Sequence, residues 1–115
     1  MSAHILQIAY YGTLRDLRHH VLLKAGYRVT SVLGNDEAMR LHANVIAAAD
    51  LVVVGFCASH SLRVTMVHWL KMHQPSVPVL VLQFHSWESF PEADAATLSE
   101  DPAVWLTEVT RILKS

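Results

Sequence analysis

Apolar positions along this chain fall into two alternating rhythms, short continuous runs and stripes at helical spacing. Ile5–Tyr10 (ILQIAY), apolar except at Gln7, predicts a first strand. Gly12 breaks it, and Thr13 is placed to cap a helix running to about Ala25. In that helix Leu14, Leu17, Val21 and Leu22 share one face, with Arg15, Arg18, His19 and Lys24 assigned outside it. Gly26 is placed to end the helix in a left-handed conformation. Tyr27–Val32 alternates apolar with polar, the pattern of a half-exposed edge strand. Gly34-Asn35-Asp36 then turns the chain into a second helix, Glu37–Ala48, with Met39, Val45 and Ile46 inward. Leu51–Phe56 is a continuous apolar run rich in β-branched Val, as expected of a central strand buried on both faces. A third helix, Ser61–His73, buries Val64, Val67 and Leu70 beside Met66 and Trp69, and Gln74–Pro78 stops it. Val79–Phe84 is a second uninterrupted strand. Ser86–Asp94 is too short for a full helix and is broken by Pro91, so Ala95–Leu98 follows as a brief fifth strand. Asp101-Pro102 starts the last helix, Pro102–Lys114, which buries Leu106, Val109, Ile112 and Leu113.

Strands that alternate with helices in this way call for a parallel sheet with right-handed crossovers. The three most apolar strands, first, third and fourth, belong at its centre. The expected architecture is therefore α/β in three layers, with strand order 2-1-3-4-5 and a shortened fourth helix. A length of 115 residues predicts one domain, 1–115. Apolar residues at 52% and charged residues at 17% exclude a disordered chain. A net charge of −1, from scattered basic residues, leaves no footprint for nucleic acid. No apolar run approaches the roughly 18 residues of a membrane helix. The start, MSAHILQIAYYG, has neither a basic region nor a small-residue cleavage site, so no signal peptide is predicted. A single cysteine excludes an internal disulfide and fits a reducing cytoplasm.

Ligands and chemistry in open α/β sheets collect where the central strands end, which points first to Gly55–Arg63. Around this stretch the chain resembles a receiver domain of bacterial two-component response regulators over nearly its whole length. The phrases that carry the resemblance are Ile5-Leu6 with Leu14-Arg15, Ala25-Gly26-Tyr27-Arg28-Val29, Asp50-Leu51-Val52-Val53-Val54, Pro78-Val79-Leu80-Val81-Leu82, and Asp101-Pro102 with Val109. The resemblance implies a receiver-like, flavodoxin-like fold. It also implies a set of positions: an acidic pair, a phosphate-accepting Asp, a hydroxyl and a Lys. In such a set carboxylates hold Mg²⁺ against the phosphoryl oxygens while the Lys and hydroxyl read the product. Carried over, the acidic pair falls on Ala9 and Tyr10, the acceptor on Gly55, the hydroxyl on Gln83, and the Lys on or near Leu98. All five differ. The expectation is a pseudo-receiver that needs no cofactor or metal and is not an enzyme, acting on protein partners as a phosphorylation-independent signalling module and self-associating through its fifth-helix side.

Cys57-x5-Arg63, between a strand and a helix, offers an alternative, because it has the spacing of the phosphate loop in cysteine phosphatases and rhodanese-like enzymes. There a thiolate attacks while loop amides and the Arg hold the anion, with Glu88, Glu92 or Asp94 available as a general acid. Against it, the loop has no glycine and Arg63 is followed by Val64. Eight histidines include no i, i+4 pair and no Cys at zinc spacing, although His60 and His85 follow adjacent strands and are candidates to meet. Tyr10, Tyr11 and Gln83 are expected to plug the altered pocket, the other reading being a small polar ligand held by Gln83, Ser59 and loop amides. Trp87, Phe90 and Trp105 lie where exposed aromatics would form an interaction face, with Trp105 as readily core.

Overall fold

The computed structural model describes residues 2–114. Five strands, β1 (His4–Ala9), β2 (Arg28–Leu33), β3 (Leu51–Val54), β4 (Val79–Gln83) and β5 (Ala95–Leu98), form one parallel sheet in the order β2-β1-β3-β4-β5. This is the order expected from the apolar runs. The helices are α1 (Gly12–Lys24), α2 (Gly34–Met39), α3 (Ala43–Ala47), α4 (His60–His73) and α5 (Pro102–Lys114).

The period-two geometry of a strand sends alternate residues to opposite faces. Leu6 and Ile8, Val52 and Val54, and Val79 and Val81 pack with Ala38, Ile46, Met66, Val67 and Leu70 on one side. Ile5, Leu51, Val53, Leu80 and Leu82 pack with Leu22 of α1 and with Trp105 and Val109 of α5 on the other. A three-layer sandwich results, with the central strands buried on both faces.

Local signals explain the turns. Gly26, at φ 97°, ends α1 in a Schellman arrangement, with Gly26 N–H donating to Leu23 O and Tyr27 N–H to Leu22 O. The start of α1 differs from expectation. Thr13 lies within the helix, and its cap position, Tyr11, makes no side-chain capping bond. The single helix expected over Glu37–Ala48 is two. Leu41 packs onto the core, and the His42 Nδ1 accepts from Asn44 N–H at 3.2 Å, capping a new helix. Ser59 caps α4, its Oγ accepting from Leu62 N–H at 3.3 Å.

No helix lies between β4 and β5. The connection is instead fastened to one polar face of α4: His60 Nε2 meets Ser89 O at 2.7 Å, Arg63 pairs with Glu88, His68 with Glu92 at 2.9 Å, and Lys71 with Asp94 at 2.5 Å. Asp94 also accepts from Val79 N–H at 2.7 Å, locking the far end of the connection to the sheet. No helix among the described residues is long and apolar enough to cross a membrane.

Candidate functional site

The carboxyl ends of β1, β3 and β4 bring Ala9, Tyr10, Gly55 and Gln83 to one edge, with Leu98 at the end of β5 in register with Gln83. Ala9 is buried in the sheet. Tyr10 leaves the strand and its hydroxyl donates to Asn35 Oδ1 at 2.6 Å, while Asn35 Nδ2 donates to Leu62 O at 3.0 Å. Asn35 thus ties the phenol and the start of α2 to the start of α4. Burial pushes its pKa up to about 12, partly opposed by the nearby Arg63 cation. Gln83 is buried, and its Nε2 donates to Glu88 O at 2.7 Å, pinning the β4–β5 connection over the strand end. Tyr11 takes no part in filling the edge, since its ring is exposed. Leu98 is exposed as well, and the next residue, Ser99, has a buried Oγ without a partner.

The largest departure from expectation is Arg18. It was expected on the outer face of α1, yet it is 5% exposed, while Leu17 is 58% exposed. Its guanidinium carbon stands 5.1 Å from the centroid of the Phe56 ring. A Cβ built on Gly55 would lie 2.8 Å from Arg18 Nη1. The glycine at the acceptor position therefore gives the space that the Arg18 side chain occupies. Burial pulls this guanidinium down to about 10, opposed by its interaction with Cys57, so it stays charged at neutral pH. Among the described residues it makes no hydrogen bond or ion pair.

These residues do not fit a divalent cation. Ala9 and Tyr10 offer no carboxylate, and the cation nearest Gly55 is the chain's own. Hard cations of this kind are held by oxygen ligands, above all carboxylates.

Arg63 is 2% exposed and committed within the fold. Its Nε donates to Ala58 O at 3.3 Å, its Nη1 to Leu82 O at 3.3 Å and its Nη2 to Glu88 Oε2, with Phe90 beneath the guanidinium at 5.0 Å. A phosphate held by the Cys57–Arg63 loop would have to displace the Glu88 carboxylate. Cys57 is exposed, and Ser59 is spent on the helix cap. Glu88 is tied to Arg63, Glu92 to His68 and Asp94 to Lys71, so each acid named for that alternative already has a side-chain partner. His60 and His85 do not meet: His60 packs against Phe90, and His85 stacks on Trp87.

The expected aromatic face is also corrected. Trp87 is 76% exposed, but Phe90 (8%) and Trp105 (2%) are buried, one under Arg63 and the other in the α1–α5 core. What lies at the surface is a row of rings, Phe56 stacked on Phe84, Phe84 against His85, and His85 on Trp87. Sequence reasoning missed Arg18, Asn35 and Phe56, and cast Glu88 only as an acid. Arg18 alone left a trace, since positions 14, 18, 21 and 22 share a helical face.

No protein-family model matches the chain, and no curated protein matches it. Solved structures do. The signal receiver domain of a histidine kinase from Syntrophus aciditrophicus superposes with a TM-score of 0.81 at 23% identity, over 98% of this chain and 91% of that one. The response regulator TrrA of Thermotoga maritima, solved with Mg²⁺ and a beryllium fluoride, gives 0.80 at 16% identity over 96% and 98%. The chemotaxis response regulator CheY4 of Vibrio cholerae gives 0.76 at 16% over 97% and 99%. The fold is that of response-regulator receiver domains, a five-stranded flavodoxin-like sheet.

Proposed function

We propose that this chain is a receiver-like module of two-component-type signalling that works without phosphoryl transfer and acts by binding protein. The observation that carries this reading is the seat of Arg18 against Gly55, which puts a cation where the resemblance places a phosphate-accepting carboxylate. Tyr10, Gln83 and Glu88 support it by joining neighbouring elements across the same edge. A protein partner is supported by the neighbours, among which TrrA is solved in complex with the histidine kinase ThkA. The exposed Trp87 and Val104 mark the β4–β5 and α5 side as the self-associating surface of this proposal. The internal commitments of Arg63 support reading the Cys57–Arg63 loop as structural and the chain as non-enzymatic.

Incubation with acetyl phosphate and Mg²⁺ followed by intact mass measurement tests the first half. The expected result is no phosphoryl adduct, and an adduct on any side chain overturns it. Sedimentation over a range of concentrations tests self-association. Trp87→Glu and Val104→Glu are each expected to shift the protein toward monomer, and a wild type monomeric at every concentration contradicts that half.

A further inference from the structure

Beside the filled edge, α1 and the start of α5 enclose a groove of about 230 Å³ whose lining includes Arg18, Phe56, Phe84, Leu14, Leu17 and Ser99. Two polar groups of this groove are left without hydrogen bonds among the described residues. Arg18 is almost wholly buried, and none of its donors makes a hydrogen bond or ion pair among the described residues. Ser99 Oγ is buried with no partner. A guanidinium has five N–H donors in a planar fork that matches a carboxylate, and a buried charge ordinarily carries a partner. Cation–π contact with Phe56 accounts for the ring face only, leaving those donors unused. Leu14, Leu17, Phe56 and Phe84 supply apolar walls, and Leu17 and Phe84 are large apolar side chains left exposed.

We propose that this groove is a binding site for a small planar monocarboxylate of the aromatic-acid class, with Arg18 receiving the carboxylate, Ser99 donating to it and the ring lying among Leu14, Leu17 and Phe84. Size supports a compact ligand, because pockets for larger organic molecules run to roughly 300–1,000 Å³. Charge selects within the anions. Glu100 also lines the groove, so the single guanidinium does not repay the desolvation of a second negative charge, and a dianion such as phosphate is disfavoured. The burial that depresses the Arg18 pKa is a cost that a bound anion relieves. This site is distinct from the protein-interaction reading and does not depend on it.

Benzoate serves as the probe in a titration of ¹⁵N-labelled protein at neutral pH, observed at the Arg18 Nε–Hε and at the Phe56 and Ser99 amides. Saturable shifts confined to these signals are expected, with Arg18→Gln weakening binding by about tenfold or more, the range of a lost charge-assisted hydrogen bond. Ser99→Ala should weaken it several-fold. Benzamide, of the same shape without the charge, should bind the wild type at least about tenfold more weakly, and this comparison needs no variant to fold. Inorganic phosphate should give no saturable shift at the same signals. The proposal is overturned if benzoate gives no saturable shift up to about 10 mM, a limit near the weakest measurable affinity. It is equally overturned if benzamide matches benzoate, if phosphate saturates the same signals, or if a folded Arg18→Gln binds benzoate as the wild type does.

Discussion

The Arg63–Glu88 pair fastens the β4–β5 connection onto α4, and its removal can be worked through in magnitude. Both side chains are nearly inaccessible, at 3% and 7%. Truncating one member of a buried pair strands the other charge, at a cost of about 3–5 kcal/mol. In Glu88→Ala, Arg63 keeps the carbonyls of Ala58 and Leu82 and the Phe90 ring, so the lower end, about 3 kcal/mol, is expected. Arg63→Met leaves a carboxylate whose Oε1 already lacks a partner, and should cost at least as much. Replacing both, as Arg63→Met with Glu88→Leu, removes the desolvation of two ions and should land within about 1 kcal/mol of the wild type. The double-mutant cycle, closed with the Glu88→Leu single variant, then gives a coupling above about 2 kcal/mol. Urea unfolding followed by tryptophan fluorescence and far-UV circular dichroism reads this directly, provided the two probes coincide. For a chain of this size the Glu88→Ala midpoint should fall by about 1.5 M. A loss below about 1 kcal/mol in Glu88→Ala, or a double variant as unstable as the singles combined, would refute the assignment of this pair as the clasp.

Tyr10→Phe removes the bond to Asn35 and should cost about 1 kcal/mol at neutral pH, read by the same unfolding curves. Its pH dependence has a definite sign. The folded state holds the Tyr10 proton to about pH 12 and the unfolded state to about 10, so the wild type loses stability from this group as pH rises through that window. Arg18 acts oppositely. Its folded-state pKa near 10 lies below the ordinary arginine value, so its penalty is full below about 10 and fades as pH rises beyond it. Between pH 10 and 11, Tyr10→Phe should therefore change stability more favourably with rising pH than the wild type does; identical slopes would contradict the buried phenol. Gly55→Ala should cost about 1 kcal/mol, because its Cβ displaces the Arg18 Nη1, and that cost should vanish in an Arg18→Ala background. Ser59→Ala should cost about 1 kcal/mol through loss of the α4 cap, and no change would place the helix start elsewhere.

The sheet was legible because its signal is local. Leu51–Val54 and Val79–Leu82 carry apolar side chains on both faces, and that alone assigns them to the centre. The division of the second helix was not, since it turns on Leu41 finding the core and on a His42 side chain acting as a cap, a role weakly written in composition. Arg18 shows the same limit at the site. It was assigned outside the apolar face, although its spacing from Leu14, Val21 and Leu22 fits that face; Gly55, brought close by the β1–β3 pairing, makes room for it. Likewise the Cys57-x5-Arg63 spacing says nothing of Glu88, which lies far along the chain and takes the guanidinium. Phe90 was placed by sequence position on an interaction face and packing drew it inward, while Trp105, as readily core as surface on the sequence, proved to be core. Contacts made at long sequence separation decided each of these, whereas strand and helix patterns are set within a few residues.

The central claim is that the chain's own side chains occupy the edge where a receiver would take up a phosphoryl group. An amide NMR titration with Mg²⁺ and beryllofluoride tests it most directly. No saturable shift is expected at Tyr10, Gly55 or Gln83, with Arg18 undisturbed over Phe56. Saturable shifts confined to those residues would show that the edge opens to a metal and a phosphoryl mimic, and would contradict it.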